Sequence, residues 1–402
     1  MPVLNAPLVQ LILQRIQAAP AERICFAEFM EMALHHPQYG YYARQDAIIG
    51  PDGDFVTAPH LGHDFGELLA VQLGEIWQRL GEPHPFQVVE MGAGQGLVAA
   101  DILRYLRSHP CFTALEYTIV EQSPTLRAWQ QEQLAPWQAK LSWSTLAAIA
   151  PASVVGCVFS NELIDAFPVH IVERQGTQLQ EVYVTRAHPE ASPDASVDAS
   201  VEHPPFLETR GPLSTPRLAA YFDWLGLDLC SDAYPDGYRT EVNLVALDWL
   251  TAIAARLRRG YLLTIDYGYA AHRYYSPSRR QGTLQCYSRH RHHSDPYAGV
   301  GNQDITAHVN FTALENQGER IGLQTVGFTQ QALFLMALGL GDRIAALSQL
   351  NGSQSDAVQQ ALQRRQALHQ LINPLGLGNF GVLVQSKGLI GQPPLTGLRS
   401  PT

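Results

Sequence analysis

An α/β fold built on a mostly parallel, Rossmann-like sheet is predicted by three observations. The run Phe86–Glu90 is short and largely apolar, and three glycines follow at every second position, Gly92, Gly94 and Gly96. Leu97, Val98, Ile102, Leu103 and Leu106 then recur at helical spacing, so strand, glycine turn and helix come in order. Farther along, apolar runs suited to strands alternate with helical patterns, the mark of a parallel sheet covered on both faces.

The elements can be justified in turn. Residues 8–34 carry Leu8, Leu11, Ile12 and Ile16, then Phe26, Phe29, Met30 and Leu34, and are expected to be helical up to Pro37. A second helix is expected over 64–80. Strands follow at 86–90, 116–121, 139–143, 153–160 and 260–266, with helices at 96–108, 123–134 and 243–258. Residues 169–184 read as a β-hairpin turned at Gln175-Gly176-Thr177. The six prolines of 187–216, set among Ala, Ser, Asp and Glu, predict a loosely held loop. Residues 270–312, rich in Tyr, His, Arg and Gly, show little periodicity and are expected to be irregular, which in a compact protein is usually functional. Helices at 330–348 and 354–370 and a strand at 380–384 close the pattern. The division expected is an N-terminal helical or lid region (1–80), a main domain (81–388) with insertions at 169–240 and 270–312, and a tail (389–402).

Composition narrows the function. The 402-residue chain has a formal charge of −10, which argues against a nucleic-acid surface, since phosphate neutralisation needs clustered Lys and Arg. Five scattered cysteines without a C-x-x-C pair point to a reducing compartment. No signal peptide is evident, and no run approaches the roughly 18 apolar residues needed to span a bilayer. A cytoplasmic protein without membrane insertion is expected; a homodimer stays open.

The glycine turn brings backbone N–H groups and a helix N-terminus toward a nucleotide-like cofactor. A dinucleotide fingerprint is G-x-G-x-x-G/A, but here the third glycine comes one residue early and position 97 is Leu. That spacing, with Glu90 before it, suits S-adenosylmethionine, which has no pyrophosphate to cradle. A nucleotide-dependent oxidoreductase fits less well. Glu121 ends the next strand, where a carboxylate can accept hydrogen bonds from both ribose hydroxyls; it could instead cap the helix that starts near Ser123-Pro124.

The strand over 153–160 runs into Asn161, Glu162 and Asp165. Two carboxylates three residues apart share one side of a helical turn and can clasp a guanidinium. They could localise its charge and take up a proton as a methyl group arrives. The same residues also suit a helix N-terminus, with Asn161 as cap and Glu162 near the dipole, and both readings remain open. Asp266, at another strand end, is a further cleft candidate. His290, His292 and His293 mix with Arg289 and Arg291 and lack a second ligand set, so no metal site is expected. No G-x-S-x-G or H-E-x-x-H motif occurs.

In this order the motifs resemble the MidA family of class I S-adenosylmethionine-dependent methyltransferases. They include Pro37-x-x-Gly40-Tyr41-Tyr42, Gly53-Asp54-Phe55 with Thr57-x-Pro59, and Glu90-x-Gly92-x-Gly94-x-Gly96. They continue with Asn161-Glu162-x-x-Asp165-Ala166-x-Pro168, Asp266-Tyr267-Gly268 and Asp304-Ile305-Thr306-x-His308-Val309-x-Phe311. The resemblance implies a seven-stranded sheet whose last strand is antiparallel, and methyl transfer to a protein side chain. Its mitochondrial member methylates arginine in complex I assembly, so a subunit of a respiratory NADH dehydrogenase is the implied substrate. Gly92, Gly94 and Gly96 would approach the cofactor's methionine part, Glu90 its amino group and Glu121 its ribose. Asn161, Glu162 and Asp165 would face the acceptor, and the segments 22–66 and 270–312 would cover the cleft. Where the family commonly has Thr-Ser-Pro-Glu, this chain has Thr57-Ala58-Pro59-His60, a change that would alter the target if that loop meets it. An assembly chaperone keeping the fold, or a small-molecule methyltransferase, are the alternatives.

Overall fold

The computed structural model describes residues 5–43, 57–187, 205–288, 291–348, 355–389, 391 and 393–400. The motif Gly53-Asp54-Phe55, the segment 188–204 and His290 lie outside the described residues. Two compact units form. One draws on Ile49–Ile164, Leu247–Tyr269 and Val309–Thr402, the other on Met1–Ile48, Asp165–Ala246 and Ala270–His308.

The first unit holds a seven-stranded mixed sheet. Its strands in chain order are β1 (Phe86–Met91), β2 (Leu115–Val120), β3 (Leu141–Ser144), β4 (Val154–Asn161), β5 (Leu257–Asp266), β6 (Gln324–Gln330) and β7 (Gly381–Lys387). They lie in the order β6-β7-β5-β4-β1-β2-β3. The five strands from β5 to β3 are parallel, and β7 runs antiparallel to both β5 and β6. This is the implied methyltransferase sheet. Strand β4 is central and buried along seven consecutive residues, as a strand covered on both faces must be. Phe86, Val88, Tyr117, Ile119, Phe159 and Leu263 pack there with the helices Asp64–Arg79 and Leu97–Leu106.

Most elements fall within a few residues of their expected positions, including the helices Asp64–Arg79, Pro124–Gln133, Leu244–Arg256 and Ser355–Leu371. Two helical expectations break at their punctuation. The span 8–34 becomes helices Ala6–Ala18 and Phe26–His35, because Pro20 follows the first and Ala21 and Glu22 take left-handed backbone, φ 55° and 48°. The span 330–348 splits into Gln331–Ala337 and Leu340–Ser348 around Gly339, φ 101°. None of the expected strands covers β6, which as a half-exposed edge strand lacks the apolar signal of the others.

The second unit is built on an antiparallel sheet. The hairpin His170–Gln175 and Gln178–Arg186 turns at Gly176, φ 60°, as expected. Strands Arg23–Cys25 and Phe206–Gly211 both pair with Gln178–Arg186, and Arg239–Val242 pairs with His170–Gln175. Phe206–Gly211 corrects the loop expected over 187–216. Phe206 is buried, and Arg210 binds Glu173 at 2.7 Å, contacts that the surrounding prolines concealed. The stretch 270–312 is not irregular throughout: Gln285–Ser288 pairs with both Arg291–His293 and Asp304–Thr306.

Candidate functional site

The glycine turn leaves the carboxyl end of β1, the edge where open parallel sheets bind ligands. Gly92, Gly94 and Gly96 all have positive φ, 67°, 53° and 80°. A Cβ at Gly92 would meet the Leu163 side chain at 2.6 Å, whereas one at Gly94 would meet nothing within 4 Å. The turn is thus packed from one direction and open at Gly94, where a ligand can approach the backbone. Gly96 then leads into the helix Leu97–Leu106 with its free N–H groups.

Glu90, one residue before the end of β1, is 3% exposed, and the Tyr117 hydroxyl donates to its Oε2 at 2.7 Å. Burial pushes the Glu90 carboxyl up to about 7; the Tyr117 bond lowers it and the neighbouring Glu121 charge raises it. Glu121 follows the end of β2. Its Oε1 accepts from the Ser123 amide at 2.9 Å and its Oε2 from Gln130 Nε2 at 3.2 Å, while burial holds its carboxyl above the ordinary range. The cap expectation is therefore met in part, since Glu121 does bind the amide of Ser123. Glu121 also lines a cleft of about 670 Å³ with Gln122, Arg127, Thr145 and Leu146.

Gln130 carried no sequence signal. It is the one buried residue among the described side chains of the helix Pro124–Gln133. Its Nε2 donates to the Gly94 carbonyl at 2.8 Å as well as to Glu121, and its Oε1 accepts from Trp143 Nε1 at 3.0 Å. One amide thereby ties the glycine turn, the carboxylate after β2 and the end of β3 together.

Asn161 ends β4, and Glu162 follows with a left-handed backbone, φ 50°, uncommon for a residue with a side chain. Its amide donates to the Ile265 carbonyl at 2.9 Å. The next amides, of Leu163 and Ile164, donate to Asp266 Oδ2 at 3.3 and 2.9 Å, while Asp266 Oδ1 accepts from Tyr267. Fully buried Asp266 is thus a clamp on this turn. Asn161 Nδ2 donates to Glu162 Oε1 at 3.2 Å, and Asn161 Oδ1 is buried with no hydrogen-bond partner among the described residues.

Backbone geometry removes the helical turn expected to carry Glu162 and Asp165 on one side, and with it the N-cap alternative. Only Ile164–Ala166 forms a short 3-10 turn. Asp165 belongs to the second unit, where it is 7% exposed and its carbonyl accepts from the Ala307 amide at 2.9 Å. Of the predicted site residues, the sheet unit therefore holds Glu90, the three glycines, Glu121, Asn161 and Glu162. His292 and His293 sit on the short strand Arg291–His293.

Comparison with known proteins agrees with this architecture. Residues 68–329 match the family described as "Putative S-adenosyl-L-methionine-dependent methyltransferase". A Burkholderia thailandensis protein solved with S-adenosyl-homocysteine superposes with a TM-score of 0.82 at 31% identity, covering 99% of this chain and 96% of that one. The Drosophila melanogaster protein arginine methyltransferase NDUFAF7 homolog is 28% identical, covering 78% of this chain and 70% of its own. Human protein arginine methyltransferase NDUFAF7 is 27% identical, covering 92% and 81%. Among the described residues no helix is long and apolar enough to cross a membrane. An open glycine turn, a helix N-terminus and the carboxylates of Glu90 and Glu121 are what the methionine and ribose parts of such a cofactor need, so the residues present fit it. The chain belongs to this family of methyltransferases, and S-adenosylmethionine is its cofactor.

Proposed function

We propose that this protein methylates an arginine side chain of a protein substrate, a subunit of a respiratory NADH dehydrogenase being the first to test. The observation that carries the acceptor is the name shared by relatives at 26–28% identity, each called a protein arginine methyltransferase. The cofactor supplies a methyl group on a positively charged sulfur. In this reading Gly92, Gly94 and Gly96 let the backbone approach its methionine part, Glu90 holds its ammonium and Glu121 takes both ribose hydroxyls. Gln130 positions Glu121. The buried Oδ1 of Asn161 is an acceptor suited to a guanidinium N–H, and Glu162 is the carboxylate that localises its charge and accepts its proton; Asp165 is the second carboxylate of the sequence motif. The enzyme would act in the cytoplasm.

The test is mass spectrometry of NADH dehydrogenase subunits from cells with and without the protein, with Glu162→Gln/Asp165→Asn as a third arm. A methylarginine that disappears in both deficient arms supports the reading. Unchanged methylation in all three would refute it. Normal complex assembly without the methyl mark, in the double variant, would identify a chaperone that retains the fold.

A further inference from the structure

The second unit brings together three side chains that the methyl-transfer reading does not use. Cys25 faces Tyr183 across the pair Arg23–Cys25/Gln178–Arg186, and Val172 faces Glu181 across the hairpin. Side chains alternate along a strand, so Tyr183 and Glu181 share a face, as do Val172 and His170. Cys25, His170 and Glu181 therefore project from one face of three adjacent strands. Cys25 Sγ, a His170 ring nitrogen and a Glu181 carboxylate oxygen all lie within 4.8 Å of one another.

We propose that Cys25, His170 and Glu181 form a binding site for one thiophilic divalent cation of the zinc type. Thiolate, imidazole and carboxylate are the donors zinc takes, and the thiolate disfavours magnesium and calcium. Glu181 is fully buried, a costly state for a carboxylate without a positive partner. Its Oε2 is anchored by the Ser214 amide at 2.5 Å, which leaves Oε1 facing His170 Nδ1 at 2.8 Å. A divalent cation held by a thiolate, a neutral imidazole and a carboxylate leaves the site neutral, two negative donors against two positive charges. Donors about 2.0 Å from a tetrahedral ion stand roughly 3.3 Å apart, so Nδ1 and Oε1 need part by only about half an ångström. The fourth position falls to water.

The test titrates the chelator-treated full-length protein with Co2+ as a spectroscopic stand-in for zinc. One equivalent should raise a thiolate-to-cobalt charge-transfer band in the near ultraviolet and raise the melting temperature, since the ion binds the folded form alone. Cys25→Ser should abolish the band while far-ultraviolet dichroism stays native, and Glu181→Gln should weaken binding about tenfold or more. No band in the wild-type protein, or a band that survives in Cys25→Ser, overturns the proposal. Should the variants fail to fold, the wild-type protein still decides. Zinc must slow alkylation of Cys25, mapped by peptide mass spectrometry, and an unchanged rate overturns the site.

Discussion

Raising the pH from 6 to 7.5 should tighten cofactor binding, and Glu90→Gln should remove the effect. The cofactor's ammonium favours an ionised partner, whereas the buried Glu90 carboxyl without cofactor titrates at about 7. The ionised fraction then rises from about one-eleventh at pH 6 to about three-quarters at pH 7.5, an affinity gain of about eightfold, or about 1.2 kcal/mol. The range stops there because α-amino groups themselves titrate at about 7.7–8.0. Folding responds with the opposite sign. Glu90's carboxyl is held above its ordinary value, so the folded chain binds that proton more tightly than the unfolded one. The stability this contributes is full below the ordinary carboxyl range and is lost as pH climbs through about 7. Isothermal titration calorimetry across this range, in buffers of differing ionisation enthalpy, measures both affinity and proton release. A flat wild-type profile, or a slope that persists in Glu90→Gln, would show that Glu90 does not meet the ammonium.

Glu121→Ala should cost two charge-assisted hydrogen bonds, about 1.5–3 kcal/mol each at most, and weaken cofactor binding at least tenfold in the same calorimeter. Gln130→Leu frees Glu121 Oε2 and leaves the Ser123 amide to hold Oε1. It should raise the KM for cofactor more than it lowers kcat, with Gln130→Asn not restoring the wild-type value because its side chain is one carbon shorter. Gly92→Ala adds a methyl 2.6 Å from Leu163 at a backbone φ of 67°. Thermal denaturation should show a loss of about 1–3 kcal/mol, whereas Gly94→Ala, with open space around it but φ 53°, should lose only the backbone strain of about 1 kcal/mol and, in addition, cofactor affinity.

The sheet and the cofactor turn were legible because their signals are local. The sequence Glu90-Met91-Gly92-Ala93-Gly94-Gln95-Gly96 places strand end, turn and helix start within seven residues, and burial gives β4 an apolar run from Val154 to Phe159 and leaves β1 apolar except at Gln87 and Glu90. Half-exposed β6 gave no such run, and Phe206–Gly211 was hidden by the prolines around it. Helix interruptions at Ala21-Glu22 and Gly339 turn on backbone conformation that periodicity does not encode. The left-handed φ of Glu162 was illegible for the same reason, which is why a helical turn was expected there. Gln130 and the Cys25–His170–Glu181 trio depend on partners distant in sequence, and spacing rules cannot see such pairs. Asp266 was marked by its place at a strand end, but its task as a clamp on Leu163 and Ile164 needed the fold.

Strand β7 lies between β5 and β6 although it is made last of the three. During synthesis, therefore, β5 emerges with one flank bare and stays so until more than a hundred further residues have been added, on the order of ten seconds at typical elongation rates. Its apolar flank is a ready template for mispairing throughout that time. A ribosome stalled before Gly381 would release a chain that cannot close this sheet, because β7 is the strand that joins β5 to β6.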